Sequence, residues 1–120
     1  MGNNYTVLYD NPSGGDGTIT LKESSSNFKK IAIYYFANNR NFQNYTECFN
    51  SGTSNNGVTL QIIYPDQSQT NKFYLRCAYA KISGSEIIVG RNKAYIFTSG
   101  NVVEDGILIK IYKVFGIDRK

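Results

Sequence analysis

Lys72 to Ser83 reads KFYLRCAYAKIS, and its period is two. Phe73, Leu75, Cys77 and Tyr79 fall on one side, and Tyr74, Arg76, Ala78 and Ala80 on the other, because successive side chains of a strand point to opposite faces. The first set is the larger and more apolar, which predicts that Cys77 lies in the core. Before this stretch, Val58 to Tyr64 (VTLQIIY) is a second strand, stopped by Pro65, whose fixed φ and missing N–H suit a strand end. PDQSQTN between the two is loop. After it, Gly84 and Ser85 turn the chain into Glu86 to Val89, and Gly90-Arg91-Asn92-Lys93 reads as a tight reversal before Ala94 to Thr98.

The same reading extends to both ends. Tyr5 to Tyr9 and Thr18 to Lys22 are strands joined by the turn-rich loop NPSGGDG, and Ser24 to Asn27 is expected to form one helical or 3₁₀ turn. Lys29 to Phe36 is apolar on both faces, with Ile31, Ile33 and Tyr35 opposing Ala32, Tyr34 and Phe36, so it should be a central strand covered on both sides. ANNRNFQN leads to a weaker strand at Tyr45 to Phe49, and NSGTSNNG after it is loop. The last long strand lies in GILIKIYKVF, where Ile107, Ile109 and Ile111 alternate with Leu108, Lys110 and Tyr112. Eight or nine strands at this spacing, with no sustained helical period, predict one all-β domain over residues 1–120. The expected form is an antiparallel, jelly-roll-like β-sandwich, with a barrel as the alternative.

Composition removes functions. The chain has 120 residues, room for a single domain, and no histidine, so neither a Ser-His-Asp triad nor a typical zinc site can be assembled. Its two cysteines, Cys48 and Cys77, are too far apart for a CxxC motif; free buried thiols are the expected state and one disulfide the alternative. Thirteen Lys and Arg against nine Asp and Glu give a net charge of +4, but the cations are spread singly. Nucleic acid is therefore not an expected partner, although a single-stranded nucleic-acid binder of the OB type is kept as an alternative function. No apolar run approaches a membrane span and no export signal opens the chain, so membrane insertion is not expected.

Candidate sites are few. Gly14, Gly15 and Gly17 precede a strand and lack the Lys-Ser/Thr of a phosphate-binding loop, so they read as a turn. Asp10 and Asp16 fall short of a calcium ligand set, and neither a metal nor another cofactor is expected. Glu86, Glu104 and Asp105 are the candidates for a paired-carboxylate glycosidase, but Glu104 and Asp105 are turn neighbours expected to face solvent, so an enzyme is not predicted. For ligand binding, tyrosines and amides on loops suit sugars. The candidates are Arg91, Asn92 and Tyr95 around the expected reversal, and Asn38, Asn39, Arg40 and Asn41 in the connector.

LYDNPSGGDGTITLKESSSNFKKIAIYY resembles a segment of small tail-associated proteins of phages and prophages, which look like C-terminal modules of tail-fibre, baseplate or receptor-binding proteins. Leu8, Gly14, Gly17, Thr18, Leu21, Asn27, Phe28, Ile31, Ile33 and Tyr34 fill its places, and Lys113, Val114 and Gly116 fill those of a closing strand in IKIYKVFGIDRK. The resemblance covers about a third of the chain. It implies a non-enzymatic virion component located in the tail and made in the bacterial cytoplasm. It also implies a homotrimer that meets other tail or baseplate proteins and binds a cell-surface polysaccharide, or serves purely as a structural adaptor. The positions of Tyr34, Tyr45, Tyr74, Tyr79 and Tyr95 separate these: a groove between loops argues for ligand recognition, a flat patch for assembly.

Overall fold

The computed structural model describes residues 4–37, 40–49 and 56–120. Nine strands are described: β1 (Tyr5–Gly15), β2 (Thr18–Thr20), β3 (Phe28–Ala37), β4 (Phe42–Phe49), β5 (Asn56–Pro65), β6 (Phe73–Ser83), β7 (Glu86–Thr98), β8 (Asn101–Glu104) and β9 (Lys110–Arg119). They form two antiparallel sheets, one in the order β1-β9-β3-β4 and the other in the order β2-β7-β6-β5 with β8 also paired to β7. The protein is an all-β sandwich. The only helical turn among the described residues is the 3₁₀ turn Ser25–Asn27, capped by the Ser24 hydroxyl, which accepts from the Ser26 N–H.

The core lies between the sheets. From the first come Leu8, Ile31, Ile33, Tyr35, Ile111 and Val114; from the second Ile19, Leu60, Ile62, Ala78, Ala80, Ile82 and Ile87. β3 is central as expected, paired on both sides. Its outer face is not covered by a third layer. One ring from each strand of the sheet covers it instead: Tyr5 meets Phe115 edge-on, Phe115 meets Tyr34 edge-on, and Tyr34 stacks on Tyr45 with centroids 5.2 Å apart.

Three expectations are corrected. β6 alternates as read, but Tyr74, Arg76, Ala78, Ala80 and Ile82 face the core while Phe73 and Tyr79 are exposed and Cys77 is only half-buried. The small alanines leave room for the bulky residues of the opposite sheet. Cys48 is also half-buried, packed against the core from the first sheet, and both thiols are free. Next, Gly90 to Lys93 is no reversal. β7 runs unbroken from Glu86 to Thr98, with a register shift opposite Ala78 and Arg91 at φ 50°, so the residues read as a turn form a bulge. Finally, the loop NPSGGDG is largely strand, since β1 continues to Gly15 in an irregular pairing with β9. β8 was not foreseen, and β9 begins at Lys110 rather than near Ile107.

Candidate functional site

At one end of the sandwich a cleft of about 680 Å³ opens between the β5–β6 loop, the start of β4 and the segment after β8. Pro65 ends β5, and Asp66 shapes the loop that follows: its Oδ1 accepts from the Ser68 N–H, the Ser68 hydroxyl and the Gln69 N–H at 2.9–3.0 Å. Such a turn closes on its own carboxylate. Asp66 Oδ2 accepts from the Tyr74 hydroxyl at 2.6 Å. These bonds, the Tyr74 one foremost, hold the Asp66 carboxyl well below the usual carboxylate range, and the same contact pushes the Tyr74 phenol up.

Tyr74 belongs to a row of three rings. Phe42 of β4 stacks on Tyr64 of β5 with centroids 3.5 Å apart, and Tyr64 stacks on Tyr74 of β6 at 4.8 Å. Beside them lies Arg76, a charged side chain only 1% exposed. Its guanidinium sits 5.7 Å and 5.4 Å from the Tyr64 and Tyr74 centroids, donates to the Tyr64 hydroxyl from Nε (3.3 Å) and Nη2 (2.9 Å), and donates from Nη1 to Asp105 Oδ2 at 2.5 Å. A buried cation needs such pairing. Burial pushes the Asp105 carboxyl up, but the hydrogen bonds from Arg76 and the Gly106 N–H outweigh it and the net shift is downward. Asn41, Gln67 and Ser68 complete the rim with amide and hydroxyl groups. Stacked rings beside fixed polar groups can hold a small polar ligand with an apolar face, and the volume falls within the usual range of ligand sites.

The residues proposed from sequence are not gathered here, with the exception of Asn41. Asn38 and Asn39 lie outside the described residues. Arg40 lines a neighbouring depression. Arg91 is exposed on the β7 bulge. Asn92 is engaged with backbone: its Nδ2 donates to the Ile109 carbonyl at 2.7 Å, and the Ile109 N–H donates to its Oδ1 at 3.1 Å. Tyr95 is half-buried near Phe97, on the outer face of the second sheet. Of the acidic candidates, Glu86 and Glu104 are exposed, Glu104 pairing with Lys93, and Asp105 alone enters the cleft. Asp10 pairs with Lys113. No group of side chains suited to a metal ion occurs among the described residues, and none of their helices is long and apolar enough to cross a membrane.

Phe42, Tyr64, Asp66 and Arg76 were missed. The one local signal was Arg76 itself, a lone cation in phase with two alanines, which asks for a buried counter-charge if that face turns inward. No protein-family model matches this sequence, and no curated protein shows significant similarity to it.

Proposed function

We propose that the chain is a non-catalytic carbohydrate-binding module whose ligand sits in the cleft of Tyr64, Tyr74 and Arg76. The observation that carries this is the row Phe42–Tyr64–Tyr74 with the Arg76–Asp105 pair beside it and amides at the rim. Sugar rings present C–H faces to aromatic rings and hydroxyls to amides and carboxylates. Two carboxylates line the cleft, Asp66 and Asp105, and both are held low. A glycosidase needs one carboxyl raised to act as acid, so this pair supports binding without hydrolysis. In line with the resemblance at the chain ends, the module would belong to a phage or prophage tail and meet a host-surface polysaccharide.

The test is a titration of the full chain with a panel of neutral oligosaccharides, followed by calorimetry and amide chemical shifts. A saturable ligand should move the amides of Ser68, Tyr74 and Asp105, and Tyr74→Ala should weaken it at least tenfold, about 1.4 kcal/mol. Tyr45→Ala, on the outer face of the other sheet, should leave it unchanged. Binding that ignores Tyr74 would overturn this placement.

A second reading, the structural adaptor, is favoured by a different surface. The outer face of the second sheet carries exposed Ile63, Phe73, Tyr79, Ile88 and Val102, an apolar area of the kind that marks assembly. The two readings are compatible: one face assembles, the cleft binds.

A further inference from the structure

Beside the aromatic cleft, and sharing Ile107 with it, lies a smaller depression of about 350 Å³ lined by Ser13, Phe36, Arg40, Gly106 and Lys110 among others. We infer that this depression is an anion subsite, so that the ligand of the cleft is a saccharide carrying a phosphate or carboxylate group. The inference rests on the binding function proposed above and specifies its ligand class.

Four observations carry it. Arg40 stands at φ 73°, a left-handed conformation that side chains other than glycine's adopt at a cost and keep where surroundings impose it. Its guanidinium is held 5.4 Å and 5.7 Å from the Phe36 and Tyr112 centroids, and its carbonyl accepts from Gln43 Nε2 at 3.1 Å. All nine acidic side chains of the chain are described, and the ion pairs they form use five of the thirteen cations, Lys72, Arg76, Lys93, Lys113 and Arg119; Arg40 and Lys110 are among the eight that have no carboxylate partner, and they are the two that line this depression. The wall is tight on the β1 side: Gly14, at φ 80°, comes so close that a Cβ there would lie 2.7 Å from Phe36 Cζ and from Lys110 Cβ. Only glycine allows that approach. A planar guanidinium and a lysine on the same depression suit an oxyanion, which either a phosphate ester or a uronic acid supplies.

The contrast with the cleft is chemical. There Arg76 is committed to Asp105 and Tyr64, so the cleft offers rings, amides and carboxylates, whereas the depression offers positive charge that no carboxylate neutralises. A ligand spanning Ile107 would place its sugar ring on one side and its anion on the other.

The experiment compares glucose, glucose 6-phosphate, glucuronate and inorganic phosphate as probes of the full chain by amide chemical shifts. The expected result is that the sugars perturb Ser68, Tyr74 and Asp105, that at least one anionic sugar also perturbs Ser13, Arg40 and Lys110, and that it binds at least fivefold more tightly than glucose. An Arg40→Gln, Lys110→Gln double variant of unchanged melting temperature should remove that preference and leave glucose binding intact. The two anionic sugars tell phosphate from carboxylate. Equal affinities, or anionic sugars that leave Arg40 and Lys110 unmoved, would overturn the subsite while the cleft reading stands. Inorganic phosphate moving the depression while no sugar moves the cleft would keep an anion site but overturn the saccharide as its ligand, together with the cleft reading.

Discussion

Arg76 concentrates the physics of this protein in one side chain. Its burial is tolerable because Asp105 and the Tyr64 hydroxyl engage its donors, and removing one partner should cost more than the pair contributes. Asp105→Asn should therefore destabilise the fold by roughly 2 kcal/mol, below the range for a fully enclosed pair because Asp105 keeps some contact with solvent. Urea denaturation checks this, and adding Arg76→Met should recover part of the loss by removing the orphaned charge. If both variants lose the same stability, the pair is not coupled. The sequence revealed Arg76 as one of a face, with Tyr74 and the alanines, but not which face turned inward. Residue size pointed the wrong way: Leu75 and Cys77 exceed Ala78 and Ala80, yet the thin side is the one that fits against the large residues of the opposite sheet. Asp105 was read as a solvated turn residue because its partner lies 29 positions away.

Elements were more legible than their ends. The strands at β3, β5 and β6 and the 3₁₀ turn stand where alternation and turn residues placed them, within a few residues. β7 did not, since Gly90 and Asn92 mimic a hairpin sequence. In the fold, Asn92 uses its amide as a strand uses its backbone, to hold Ile109 ahead of β9, a contact no local pattern encodes. The 3₁₀ turn is tied to β9 in a similar way. Arg119 donates to both oxygens of Glu23 at 2.6 Å and 2.8 Å, Asn27 adds a third bond at 3.0 Å, and the Arg119 hydrogen bonds foremost hold the Glu23 carboxyl down to about 2 from an ordinary 4.5. A depressed carboxyl stabilises the fold above its unfolded value and loses that contribution as pH falls through its folded one. The melting temperature of the natural chain should thus exceed that of Glu23→Gln near neutrality, with the gap shrinking from pH 4.5 and gone below about pH 2. A gap that stays constant across that range would mean the charge is irrelevant to the tie.

At the scale of the molecule, the two outer faces differ in how they manage exposed rings. On the first sheet Tyr34, Tyr45, Tyr112 and Phe115 pack against one another, with Lys113 over Phe115, so their faces are partly used. On the second, Phe73 stacks on Phe97 at 4.7 Å while Ile63 and Val102, about 60% exposed, stand free. On the adaptor reading proposed above, self-assembly would use the second face. Light scattering across a concentration series should show a mass that rises toward the oligomer and stays monomeric in an Ile63→Asp, Phe73→Lys variant; the same mass for both proteins would exclude that face. The Gly84-Ser85 turn announces the pairing of β6 with β7, but pairing between strands distant in sequence could not be read from the chain, because alternation marks a strand and not what lies beside it. The clearest case is β9, which lies between β1 and β3 and joins them. Strands β5 to β8 pair with neighbours in sequence, whereas in the first sheet only β3 and β4 do, and nothing joins β1 to them until residues 110–119 emerge. Until then Ile31, Ile33 and Tyr35 have β4 on one side and an empty place on the other, so one sheet can zip from hairpin to hairpin while its partner must hold a gap open for a late arrival.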